Sequence, residues 1–189
     1  MPAYLPQSAI CNLQSEIASS FLLGTILSPL NSIVTFLTEI GLPVRESKIP
    51  EETFLPGLCI SRGTLLFDRA RLTWPGDLLH EAGHLAVTPA AQRHLLDDRL
   101  SGETEAPDAG EIEATAWSFA AADYLSLPLA ELFHSGGYRG CGDRLIMTFS
   151  SGCYPGAAGL ARAGMTAIGA EALAAGIPPY PHMLHWLRA

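Results

Sequence analysis

Thr73-Trp74-Pro75-Gly76-Asp77-Leu78-Leu79-His80-Glu81-Ala82-Gly83-His84-Leu85-Ala86-Val87 is the stretch from which the rest of the chain is best understood. Thr73 can cap a helix, Pro75 suits a first turn where an N–H has no partner anyway, and Asp77 complements the positive end of the dipole. The spacing predicts a helix that runs to about Val87. Within it, His80 and His84 are four residues apart and share one face. Two imidazoles so placed can hold one divalent ion, and zinc accepts imidazole and carboxylate together. Glu81 is rotated by about 100° from His80. It cannot comfortably bind the same ion, but it can reach water on the metal and act as general base. Leu78, Leu79, Ala82, Leu85 and Ala86 supply the apolar side of the helix. The competing reading is two surface histidines on an amphipathic helix.

Upstream, apolar residues at Ile33, Val34, Phe36, Leu37 and Ile40 predict a helix over residues 31–40, with Asn31 or Ser32 as cap and Gly41 and Pro43 as its end. Val44-Arg45-Glu46-Ser47 is polar enough to be an edge strand at most. Residues 50–56 form a loop. Leu58-Cys59-Ile60-Ser61 and Thr64-Leu65-Leu66-Phe67 flank Arg62-Gly63, a hairpin signal with Gly63 free to take positive φ. The second of these strands could be an edge to which a peptide pairs. Downstream, Thr88-Pro89 stops the motif helix and can start another that reaches Leu96. Residues 97–110 read as an acidic loop and residues 111–125 as an Ala-rich helix. A short helical turn follows at 128–133, then the loop His134-Ser135-Gly136-Gly137-Tyr138-Arg139-Gly140. Short helices are expected at about 143–149, 155–163, 166–174 and 181–187. Helix, small antiparallel sheet, then helices make an α+β domain. All 189 residues fit one domain, with a core at about 31–140 and a helical extension over 141–189.

The bulk properties narrow the partners. Nineteen acidic residues against eleven basic ones give a formal charge of −8, with no basic patch for nucleic acid or an anionic membrane. Residues 1–10 carry no Lys or Arg, so a secretory signal is not expected. The apolar stretch at 21–34 is broken by Pro29 and Asn31. It reads as a core helix or docking segment rather than a membrane span. The expected location is the cytoplasm. Cys11, Cys59, Cys141 and Cys153 form no C-x-x-C pair and are expected to be reduced thiols.

A third metal ligand is sought in Glu111-Ile112-Glu113-Ala114-Thr115-Ala116-Trp117-Ser118-Phe119, where either glutamate could serve. Carboxylates in a first turn are also favoured by the helix dipole alone. The His-Glu-Ala-Gly-His helix followed by a glutamate helix resembles the gluzincin metallopeptidases, and among them the compact ImmA/IrrE-like group and related minimal gluzincins. The resemblance covers about residues 31–127. It implies a zincin-like fold, zinc as cofactor, a peptide or protein substrate, and Glu111 as the ligand, three residues before the pattern's alanine at Ala114. Glu113 would then lie outside the metal's immediate ligands. Thr115 stands where the pattern has Asn or Asp, and Trp117 where it has Phe. Such enzymes often take an oxyanion donor from a later segment, which points to His134 or Tyr138.

The expected function is therefore a zinc metallopeptidase with Glu81 as general base. The alternatives are a zincin-like protein that binds metal and a partner without turnover, a zinc hydrolase of a small amide, and a structural protein with no metal. His94, His182 and His185 are further metal-binding residue types. The last two read more simply as part of a C-terminal helix docked on the core, and Asp123 lies three turns from Glu111, too far to share an ion.

Overall fold

The computed structural model describes residues 28–49, 53, 55–98 and 109–189. The expectations for residues 1–10, for Cys11, and for most of the apolar stretch from Phe21 and of the acidic loop after Asp97 lie outside the described residues. The order is α1 (Pro29–Glu39), β1 (Val44–Glu46), β2 (Leu58–Ser61), β3 (Thr64–Phe67), α2 (Pro75–Val87), α3 (Ala90–Arg93), α4 (Ala109–Tyr124), α5 (Leu129–Leu132), a 3-10 turn (Tyr138–Gly140), α6 (Gly142–Ser150), α7 (Ala157–Arg162) and α8 (Gly169–Ala175). The class is α+β. Among the described residues no helix is long and apolar enough to cross a membrane.

The sheet is mixed rather than antiparallel. Its order is β1-β3-β2. β2 and β3 form the antiparallel hairpin, with Leu58 opposite Phe67 and Ser61 opposite Thr64. Arg62 and Gly63 both take left-handed φ, 46° and 73°, as a two-residue turn matched to strand twist requires. β1 joins β3 in parallel, Val44 beside Leu65 and Glu46 beside Phe67. The strand of Leu65, Leu66 and Phe67 is thus central, with both ladders filled, and offers no edge to a peptide. Among the described residues the sheet's outer edges are those of β1 and β2. The β2 edge is partly taken: Asp98 N–H donates to the Ile60 carbonyl at 3.0 Å, and Ile60 N–H donates to the Asp98 carboxylate at 2.6 Å. The sheet alternates as the pleat dictates. Leu58, Ile60, Leu65 and Phe67 enter the main core, while Cys59 and Leu66 meet Ile49 on the opposite face.

Several helix ends differ from expectation. α1 starts at Pro29 and is capped by Ser28, whose Oγ accepts from Asn31 N–H at 3.4 Å, in place of Asn31 or Ser32. At α2 the cap position is Trp74 rather than Thr73, with no side-chain cap bond. α3 is a single turn, because residues 96–98 leave the helix to run beside β2. Residues 181–187 are not helical. The Leu184 and His185 amides donate to the Met165 carbonyl instead of turning on themselves. Trp186 nevertheless docks on the core, edge-on to Phe36 at 4.8 Å and accepting from Trp117 Nε1 at its carbonyl at 2.8 Å. Cys141 and Cys153 are free thiols.

The centre of the molecule is the crossing of α2 and α4. Gly83 is what lets them approach: a Cβ there would lie 2.7 Å from the Ala114 carbonyl oxygen. Ser118 Oγ sits in the same crossing, 3.2 Å from the Leu79 carbonyl oxygen and 2.7 Å from that of Ala114. α4 is buried on more than one side, with Ala114, Ala116, Trp117, Ala121 and Ala122 all inaccessible. Arg93 fastens the end of α2 by donating through Nε to the Leu85 carbonyl at 2.8 Å and through Nη2 to that of Thr88 at 3.2 Å, carbonyls a helix end leaves unpaired.

Candidate metal centre

The α2–α4 crossing brings the first turn of α4 over the second half of α2. Glu111 arrives above His80 and His84. Its Oε1 lies 3.3 Å from His84 Nε2 and its Oε2 3.5 Å from His80 Nε2. The two Nε2 atoms are 3.2 Å apart. His80 and His84 are half-buried, whereas Glu111 closes the site from the solvent side.

These residues fit a zinc ion. Ligand bonds of roughly 2.0–2.1 Å at tetrahedral angles put donor atoms about 3.3 Å apart. The three edges found here scatter around that length. Three protein donors leave one corner of a tetrahedron for a further ligand. Among the described residues this is the one group of three such donors that could share an ion. Among the described residues His80 Nδ1 is buried with no hydrogen-bond partner, so Thr115 does not provide the acceptor that would orient this ring.

Glu113 is not part of the group. Its side chain lies across α7, where a Cβ on Gly159 would collide with it. Neighbours on a helix point about 100° apart per residue, so Glu111 and Glu113 cannot both face the histidines. The sequence left both open, and the crossing at Gly83 selects Glu111.

The electrostatics follow from burial and proximity. Burial pushes the Glu81 carboxyl up from its usual value, against the opposing pull of His84 and His80. Burial pulls His84 down, but hydrogen bonding to Glu111 and the charges of Glu81, Glu111 and Asp98 more than offset it, and the net shift is upward. The hydrogen bonds from His80 and His84 hold Glu111 well below the usual carboxylate range. Asp98, on the covered β2 edge, is near enough to act on both Glu81 and His84.

The two later candidates part company. The Tyr138 ring packs edge-on to His80 at 5.2 Å and to Phe133 at 5.2 Å. Its hydroxyl is buried with no partner among the described residues, and burial followed by the charges of Asp77, Glu81 and Glu111 pushes its pKa far up. His134 is buried elsewhere. It donates through Nε2 to Asp77 Oδ1 at 2.8 Å and stacks on Trp74 at 4.5 Å. From the sequence alone Asp77 has only a helix-dipole role and Trp74 none. The signal for Asp77 was its position, three residues before His80 and so on the same face of α2. His94, His182 and His185 are exposed and join no metal-binding group among the described residues. Asp123 is exposed at the far end of α4. Compared with known proteins, the chain matches no family model, no curated protein and no solved structure.

Proposed function

We propose that the chain is a zinc-dependent metallopeptidase of the gluzincin type, with His80, His84 and Glu111 as ligands and Glu81 as general base. The observation that carries this reading is the triangle of donor atoms with edges of 3.2, 3.3 and 3.5 Å beside the half-buried Glu81. Zinc held there supplies a Lewis acid that polarises a carbonyl and makes water acidic. The chain's own groups supply the rest. Glu81 takes a proton from the attacking water and passes it to the departing amine as the C–N bond breaks. Burial raises its affinity for that proton, which suits a group that must first accept and then donate. The Tyr138 hydroxyl, free of other partners, donates to the oxyanion that forms on the substrate carbonyl. Its raised pKa keeps it protonated for that task. Of the two expected donors Tyr138 is the better placed, because His134 Nε2 is already given to Asp77.

The test begins with elemental analysis of protein purified without a tag or added metal. One zinc per chain, lost in His84→Ala, is the expected result. The zinc protein is then offered a complex peptide mixture and the products are read by mass spectrometry. Glu81→Gln should keep its zinc and lose about 10²–10⁴ in rate. A metal-binding protein without turnover is the second reading, and the unpartnered His80 Nδ1 favours it. Full zinc with no cleavage of any peptide selects it. A wild type that neither carries nor takes up zinc overturns both.

A further inference from the structure

Trp74, Asp77 and His134 form a cluster that the chemistry above does not use. Asp77 sits on α2 one turn before His80. His134 opens the loop over residues 134–141 that carries Tyr138. The His134 imidazole lies flat on Trp74, 9° from parallel, and its side chain is only 3% exposed. Gly136 and Gly137 close round it. A Cβ on Gly136 would come 2.8 Å from Trp74 Nε1, and one on Gly137 2.9 Å from His134 Cε1. The Gly137 amide then donates to the His134 carbonyl at 3.2 Å. The next two residues, Tyr138 and Arg139, both take left-handed φ, 51° and 53°. Non-glycine residues hold that conformation only where their surroundings impose it. The imidazole packs against Gly136 and Gly137, which lead into this turn, and the turn is closed by the Cys141 amide donating to the Tyr138 carbonyl at 3.0 Å.

We infer that Asp77 and His134 are a positioning pair: their hydrogen bond ties the Tyr138 loop to the helix that carries His80 and Glu81, and so holds the Tyr138 hydroxyl toward the reacting carbonyl. The inference rests on the metallopeptidase reading for what the hydroxyl faces, while the tie itself needs no metal. Neither Asp77 nor His134 touches substrate in this scheme.

Two measurements on the full chain test it. The first is the affinity of the zinc protein for acetohydroxamate, a small oxyanion ligand of zinc, by calorimetry. Tyr138→Phe should weaken binding about tenfold, the effect of about one hydrogen bond to a charged group. Asp77→Ala and His134→Gln should each weaken it to a similar extent with zinc content unchanged. The double variant Asp77→Ala/Tyr138→Phe should bind no worse than Tyr138→Phe alone, a non-additivity that a merely structural Asp77 would not produce. The second is the ¹³C-tyrosine NMR spectrum of metal-free protein. In Asp77→Ala the Tyr138 ring signal should shift and broaden while those of Tyr154 and Tyr180 stay in place. His134→Gln serves the same comparisons should Asp77→Ala not fold. Wild-type hydroxamate affinity in Asp77→Ala, losses that add in the double variant, or an unmoved Tyr138 signal would overturn the proposal. Should the wild type bind no zinc, the metallopeptidase reading fails separately, and the tyrosine signal alone judges the tie.

Discussion

Gly83 and Ala114 set the distance between the two helices of the candidate site: a Cβ on Gly83 would lie 2.7 Å from the Ala114 carbonyl oxygen and 2.9 Å from Ser118 Oγ. Two effects of Gly83→Ala oppose each other. Alanine is the better helix former by about 1 kcal/mol. Against that, the new methyl meets backbone rather than a flexible side chain, and overpacking of this kind costs about 1–3 kcal/mol. The clash should win, lowering stability by about 1 kcal/mol and lifting Glu111 off the histidines. Zinc affinity should fall at least tenfold. Denaturant midpoints and a competition titration with a chelator check both. A variant as stable as wild type with unchanged zinc affinity would show that the crossing has slack.

Much of that site was legible before the fold was known, because its signals are local. His80 and His84 share a face by spacing alone, and Arg62-Gly63 announces its own turn. The choice between Glu111 and Glu113 was not local. It depends on how α4 rolls on α2, which Gly83 and Ser118 fix from the other side of the crossing. The parallel pairing of β1 was hidden for a related reason. Val44–Glu46 is three residues long, mostly exposed, and takes its place by pairing with the distant Leu65–Phe67 backbone. The expected helix at residues 181–187 failed because Met165, far off in sequence, takes the amides that a helix would need. The pairing of His134 with Asp77 spans 57 positions and leaves no periodic trace.

Glu111→Gln and Glu113→Gln should therefore differ sharply. The first should lose zinc or hold it much more weakly, and the second should keep one zinc per chain, as read by elemental analysis. The metal-free protein carries a pH signature of the same geometry. Glu111 titrates in the folded state below its usual 4.5, so its contribution to stability is present above 4.5 and is lost as pH falls through the folded value. His84 titrates above its usual 6.5, so its contribution is full below 6.5 and is lost as pH rises through the folded value. The pair thus helps most between about 4.5 and 6.5, a benefit solvent screening keeps modest because Glu111 is exposed. An NMR titration of metal-free protein should place His84 above 6.5 in wild type and lower it in Glu111→Gln. An unchanged midpoint would mean that Glu111 does not sit over His84 in solution.

Tyr138→Phe separates a functional hydroxyl from a structural one. The phenolic oxygen is buried without a partner, and a buried polar group left unpaired costs about 1–3 kcal/mol. Its removal should leave stability unchanged or raise it by about 1 kcal/mol, while the ring keeps its packing on His80 and Phe133. Peptide hydrolysis should fall about 10²–10³-fold, the usual effect of deleting one oxyanion donor. A thermal melt and a rate measurement on the same sample suffice. Lower stability with intact activity would make Tyr138 an ordinary core residue.

Asp98 gives a prediction of opposite sign from the usual carboxylate. Burial raises its pKa above 3.8, and the Ile60 hydrogen bond only partly opposes this. A carboxyl raised on folding contributes stability below its unfolded value and loses it as pH rises through the folded one, an effect that solvent screening keeps small because Asp98 is exposed. Asp98→Asn keeps an acceptor for Ile60 N–H and discards the charge. It should be at least as stable as wild type at pH 7, and the advantage should vanish near pH 3, where wild-type Asp98 is itself protonated. Asp98→Ala loses the bond as well and should be about 1 kcal/mol less stable than Asp98→Asn at both values. Denaturant melts of the three proteins at the two pH values test this. Equal damage from Asn and Ala at pH 7 would show that the Asp98 charge, rather than its hydrogen bond to Ile60, holds residues 96–98 against β2.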